Sequence, residues 1–286
     1  MSRPARRAAI VTDSTAALSA DVAAARGITV VPLQVVIGAK RLTEGVDVSP
    51  ADIAAALRDF TPVSTSRPTP EAFSRAYAEA AAAGASEVVS IHLSSELSGT
   101  FESAQLAARG AAVPVHCVDS RQIGAAVGFA VLSAADARDD EADGVDIATV
   151  ARKRAEGATA LFYVDTLEFL RRGGRVGAAA ALLGSALAVK PLLTVREGRI
   201  IPLEKVRTAA RAINRLEEIA IEHALRASSG FDLAVQHLAN EGHGHAVAAR
   251  LRARLDVDDV PVSEVEAAIG AHVGPGMLGV TVSPRP

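Results

Sequence analysis

The chain has 286 residues, 49% of them apolar, with 30 lysines and arginines set against 33 aspartates and glutamates. That length suffices for two ordinary domains with real cores, and the near balance of charge excludes the basic footprint of a nucleic-acid-binding protein. The single cysteine, Cys117, rules out a disulfide framework within the chain and fits a reducing compartment; the near absence of aromatics leaves packing to alanine, valine and leucine.

The first seven residues are basic, but only four apolar residues, Ala8 to Val11, precede Thr12 and Asp13. That is too short for the core of a secretory signal. The longest uncharged runs, residues 122–135 and 176–189, fall short of the ~20 apolar residues that a spanning helix needs. The reading is a cytoplasmic protein without stable membrane insertion.

Strand-like runs follow at residues 8–12, 28–37, 87–93 and 113–119, separated by alanine-rich helical segments. Ser49-Pro50-Ala51-Asp52 places a capping serine before a proline at the first helical position, and Thr69-Pro70-Glu71 repeats the device. This alternation predicts a Rossmann-like parallel sheet with helices on both faces. Cys117 falls inside the fourth run and reads as a packed thiol. The acidic stretch 136–143 reads as a solvated connector, after which the rhythm changes.

Beyond it come a strand at 160–165, the glycine turn Arg172-Gly173-Gly174-Arg175, and a hairpin of 190–195 with 199–206. A long helix at 209–227, a strand at 231–238, a helix at 246–255 and a strand at 260–265 follow. The chain closes with a glycine-rich loop and a final strand. The expected architecture is therefore α/β with two domains, residues 1–150 and 151–286, the second carrying a mixed sheet.

Ligands of such sheets bind outside the carboxyl ends of the strands. The segments there are rich in hydroxyls: Thr12-Asp13-Ser14-Thr15, Ser94-Ser95-Glu96-Leu97-Ser98-Gly99-Thr100 and Asp119-Ser120, the last read chiefly as a helix cap. A further hydroxyl cluster, Ser64-Thr65-Ser66, is stiffened by Pro68 and Pro70. In Ile269-Gly270-Ala271-His272-Val273-Gly274-Pro275-Gly276 one imidazole is set among glycines, which lets the backbone approach a ligand closely. Together these suggest a small anionic group buried between the two domains. The cluster His237, Asn240, Glu241, His243, His245 has neither HExxH spacing nor thiolate support, so no metal site is assigned. No G-x-S-x-G elbow and no nucleotide fingerprint occurs.

Val11-Thr12-Asp13-Ser14-Thr15, Thr65-Ser66-Arg67-Pro68, the Ser94–Thr100 segment, Leu170-Arg171-Arg172-Gly173-Gly174-Arg175 and the His272 segment resemble the DegV family, in its order and at its approximate spacings. The resemblance covers essentially the whole chain. It implies a protein without catalytic residues of its own or a cofactor, which buries a long-chain fatty acid in a tunnel. It implies that the carboxylate is presented to a separate ATP-dependent kinase subunit, whose acyl phosphate product feeds phospholipid synthesis. Carried over by position, Thr65, Ser98 and His272 bind the carboxylate, Ser66, Gly99 and Thr100 flank them with backbone N–H donors, and Arg175 meets the kinase or the transferred phosphate. The small residues from Val176 to Leu187 are candidates for the tunnel wall or for ordinary core. Two other readings stay open: a serine-type acyl hydrolase or acyltransferase using Ser98 and His272, and a carrier of another lipid acid.

Overall fold

A computed structural model of the chain describes residues 8–182 and 190–285. In chain order these form β1 (Ala8–Asp13), α1 (Ala20–Ala25), β2 (Ile28–Val31), β3 (Gln34–Ile37), β4 (Lys40–Thr43), α2 (Pro50–Arg58), β5 (Val63–Ser66), α3 (Pro70–Ala82), β6 (Glu87–His92), α4 (Thr100–Ala108), β7 (Val115–Asp119), α5 (Ala125–Asp139) and α6 (Gly144–Gly157). Then come β8 (Thr159–Tyr163), α7 (Glu168–Arg172), β9 (Lys190–Arg196), β10 (Arg199–Val206), α8 (Ala209–Leu225), β11 (Phe231–His237), α9 (Glu241–Leu255), β12 (Val262–Glu264), α10 (Ala267–Val273) and β13 (Leu278–Pro284).

The chain divides into two compact units. The first comprises residues 1–33 and 67–156, the second residues 34–66 and 157–285. The division expected near residue 150 therefore lacks one feature: residues 34–66 belong with the second unit. The run 28–37, expected as one strand, is cut into β2 and β3 at Pro32, which has no N–H to give to a ladder. The next N–H, of Leu33, goes instead to Ser14 Oγ at 2.9 Å.

The first unit is built on a parallel sheet of order β2-β1-β6-β7. Alternate residues of its strands face opposite cores, as the pleat requires. Ile10, Val89 and Ile91 pack with Val127, Val131 and Ile147 of α5 and α6 on one side. Val11 and Val88 pack with Phe73, Tyr77 and Ala104 of α3 and α4 on the other. Helices thus cover both faces, and β6 is buried along its whole length. The acidic stretch does not form the expected connector at its start. Asp136 and Asp139 lie in the last turns of α5, where both accept from the Arg26 guanidinium.

The second unit carries a mixed sheet of order β10-β9-β8-β13-β11-β12, antiparallel except for the pair of β11 with β12. Leu278, Val280 and Val282 of β13 bury one face against Leu216, Ala220 and Ala224 of α8. A separate antiparallel sheet, β4-β3-β5, is formed by the 34–66 segment. The helix α2 beside it starts with a full capping box: Ser49 Oγ accepts from Asp52 N–H while the Asp52 carboxylate accepts from Ser49 N–H at 2.9 Å. The helix α10 packs on α2, α7, β3 and β5.

Candidate functional site

The strand β5 sets the first site residue. Its alternation leaves Ser64 and Ser66 exposed and turns Thr65 inward, toward α10. The expected loop of hydroxyls is therefore, over Val63–Ser66, a strand paired with β3 through Val35 opposite Thr65.

The histidine segment is likewise more regular than its glycines suggest. Ala267, Ala268, Ile269 and Ala271 favour a helix, so His272 sits in the last turn of α10 and the loop begins only afterwards. The free N–H of Ala268 in the first turn is taken by Glu44 Oε1 at 2.5 Å. Gly274 ends the helix at φ +77° and Gly276 turns the chain at φ +89°, conformations that side chains rarely adopt. Neither has room for one. A Cβ on Gly274 would lie 2.1 Å from the Phe169 ring, and on Gly276 2.4 Å from an Asp165 carboxylate oxygen. The turn is pinned by Gly276 N–H donating to Leu238 C=O and by the Asn240 amide donating to Gly276 C=O, each at 2.8 Å.

These two placements bring Thr65 Oγ1 to 2.8 Å from His272 Nε2. Burial, helped by the Arg175 charge, pushes the imidazole pKa down to about 4, so it is neutral near pH 7. Its Nδ1 is buried without a hydrogen-bond partner among the described residues. Arg175 approaches from the glycine turn after α7, with Nη1 donating to Gly173 C=O at 2.5 Å and its own N–H to Leu170 C=O.

In the first unit the Ser94–Thr100 segment is a second hydroxyl cluster. Ser98 Oγ and Thr100 Oγ1 stand 2.9 Å apart, and Gly99 lies under Arg67, whose Nη1 donates to Gly99 C=O at 3.1 Å. Asp119, expected as a helix cap, instead holds this segment. Its carboxylate accepts from Ser95 Oγ and Ser95 N–H as well as from Arg121 N–H.

Sequence reasoning passed over a buried polar chain beside this segment. Asp13 Oδ2 meets His92 Nδ1 at 3.0 Å, His92 Nε2 meets Ser90 Oγ at 2.7 Å, and Ser90 Oγ meets Tyr77 Oη at 2.8 Å. All four side chains are buried. The order resembles a Ser-His-Asp triad, but no attacking group is open to a substrate. Ser90 and His92 alternate with apolar residues in an otherwise unremarkable strand, and only the adjoining Thr12-Asp13-Ser14 motif marks the place.

The cluster expected around His237 resolves into helix-start contacts, with Asn240 Oδ1 beside His243 Nδ1, and no metal-binding group occurs among the described residues. Of the candidate tunnel wall, residues 177–182 form a short 3-10 helix with Ala179 and Leu182 buried, while 183–187 lie outside the described residues. No helix among the described residues is long and apolar enough to cross a membrane.

A two-unit α/β protein with a neutral hydroxyl–imidazole pair at one strand and helix end is the class these features define. The chain belongs to the DegV family, whose model, described as an uncharacterised protein family, matches residues 7–285. It is 54% identical over 281 residues to a DegV domain-containing protein of Streptomyces coelicolor, covering 98% of this chain and 99% of the other. Among solved structures it resembles a DegV family protein of Thermus thermophilus described for its fatty acid binding, at TM-score 0.89 and 32% identity, over 97% of this chain and 99% of the other. It is equally close, by the same four measures, to DegV of Bacillus subtilis, described as a fatty acid binding protein.

Proposed function

We propose that this chain binds a long-chain fatty acid and presents its carboxylate to a separate ATP-dependent kinase subunit, which forms the acyl phosphate. The observation that carries the head-group assignment is the Thr65–His272 pair, built by β5 and α10 from two family motifs. By family resemblance, the Thr65 and Ser98 hydroxyls hold the carboxylate, His272 completes their network, and Ser66, Gly99 and Thr100 supply backbone N–H donors. Arg175 serves the partner or the transferred phosphate. The protein acts in the cytoplasm, upstream of phospholipid synthesis, and supplies no catalytic group.

The chemistry favours such a division of labour. Neutral hydroxyls and a neutral imidazole fix a carboxylate without the strong neutralisation of a bidentate arginine, so the oxygen keeps its capacity to attack a phosphoryl group. The acyl chain contributes most of the affinity, about 0.8 kcal/mol per buried methylene.

Native mass spectrometry of the purified chain, followed by lipid analysis after denaturation, tests the reading. One non-covalent fatty acid per chain is the expected result. An empty chain that also fails to take up added palmitate would sink it. An acyl group esterified to Ser98 would mean an acyl-enzyme instead, for which the site offers little: Ser98 Oγ is engaged by Thr100 and His272 Nε2 by Thr65.

A further inference from the structure

We infer that the Arg171-to-Arg175 turn is a positioning element for the head group: Gly173 and Arg175 hold His272 with its proton on Nε2, leaving the Thr65 hydroxyl to donate to a carboxylate. The inference rests on the reading of this site as a carboxylate site and names what makes it select one.

Gly173 has φ −74°, an ordinary value for any residue, so the backbone does not ask for glycine there. The imidazole does. A Cβ at this position would lie 2.0 Å from His272 Nδ1 and 2.7 Å from Cε1, so the ring edge rests directly on the Gly173 backbone. Contact of that closeness leaves Nδ1 facing Gly173 and without a hydrogen-bond partner among the described residues. An N–H placed there would be an orphaned buried donor, the rarest kind of unpaired group in proteins, whereas a bare lone pair is tolerated more often.

Arg175 adds a direction. Its Nη1 is fixed on Gly173 C=O, and its positive charge bears on His272. A cation held on the Gly173 backbone, which Nδ1 faces, disfavours a second proton on the ring and is better met on that side by a lone pair than by an N–H. The single proton then sits on Nε2, where Thr65 Oγ1 at 2.8 Å accepts it.

The consequence for ligand choice follows from the donor inventory. If Nε2 donates to Thr65, the threonine proton is free and meets a ligand acceptor, as a carboxylate oxygen is. If the proton were on Nδ1, Thr65 would donate to Nε2 and present only lone pairs, which repel a carboxylate and suit a ligand N–H or O–H. The tautomer therefore sets the site for an ionised acid.

The test is nitrogen-15 NMR of histidine-labelled full-length protein at pH 7, combined with palmitate titration. Expected are a pyrrole-type Nε2 and a pyridine-type Nδ1 for His272, with or without ligand. Gly173→Ala should move both nitrogen shifts and weaken palmitate more than tenfold. Should that variant fold poorly, Arg175→Met should shift the population toward Nδ1–H, with Arg175→Lys restoring it. His272→Gln, whose amide N–H reaches the Nε2 position, should lose less palmitate affinity than His272→Asn, whose amide falls short of it. A pyridine-type Nε2 in the wild type overturns the inference, as do unchanged shifts and affinity in Gly173→Ala. Wild-type protein that takes no palmitate overturns the proposed function instead, and the nitrogen shifts then judge the tautomer by themselves.

Discussion

Asp13 and His92 face each other at 3.0 Å with neither side chain open to solvent, one at the end of β1 and the other at the end of β6. The Asp13 carboxylate has no idle oxygen. Oδ1 accepts from Thr15 N–H and Thr15 Oγ1, and Oδ2 accepts from Leu93 N–H beside His92. One carboxylate thus fixes the chain as it leaves two neighbouring strands, and Leu93 leads directly into the Ser94–Thr100 segment.

Asp13→Asn presents an amide NH2 to at least one of those donors. Removing an acceptor from a buried network of this kind should cost about 2–4 kcal/mol. Urea denaturation followed by circular dichroism reads it. An unchanged midpoint would show that the network contributes nothing to stability.

Thr65→Val keeps the shape of the side chain and deletes its hydroxyl, while Thr65→Ser keeps the donor. Losing one hydrogen bond to a charged group costs about 1.5–3 kcal/mol, so palmitate affinity should fall ~10–100-fold in the valine variant and little in the serine variant. Isothermal titration decides. Equal affinities would remove Thr65 from the head-group site.

The depressed His272 pKa carries a stability consequence whose sign is fixed. The unfolded imidazole takes up its proton near pH 6.5 and the folded one only near pH 4. Between these values the unfolded state binds more protons, so stability is complete above about pH 6.5 and falls toward pH 4, by up to about 1.4 kcal/mol per pH unit. His223 and His237, also lowered by burial, act in the same direction. Denaturation midpoints from pH 7.5 to 4 should show this acid limb, and His272→Gln should flatten it; an equally steep limb in the variant would locate the proton uptake elsewhere.

Gly274→Ala asks for an alanine at φ +77° and ψ 167°, a conformation essentially reserved for glycine, and drives a methyl into the Phe169 ring. The two effects together should destabilise by about 2–4 kcal/mol. A thermal melt checks this, and a loss below about 0.5 kcal/mol would mean that the ring yields freely.

The Cys117 thiol is half-buried, and desolvation pushes its pKa up to about 11. Labelling by a disulfide reagent at pH 8 should be slow in the folded protein and fast in urea. Prompt labelling of the native state would contradict the raised pKa of the thiol.

The capping box at Ser49, the hairpin of β9 and β10 and the parallel alternation of the first unit were all legible in the sequence, because each is set by residues close together along the chain. Family motifs also marked Thr65, Ser98 and His272 as candidates for the proposed site. The motif glycines were legible as glycines only. Nothing local shows that Gly173 is small to seat an imidazole a hundred residues away. The helix around His272 was obscured by the glycines that end it.

The sequence by itself determined the element types, their caps, the α/β class and the family, since hydrophobic period and turn chemistry act over a few residues. The tertiary structure alone decided that residues 34–66 join the second unit, that Thr65 faces inward onto His272, and that Asp13 secures two strand ends. Those outcomes depend on which distant side chains exclude water together. Burial of that kind is a property of the folded surface and is written in no single segment.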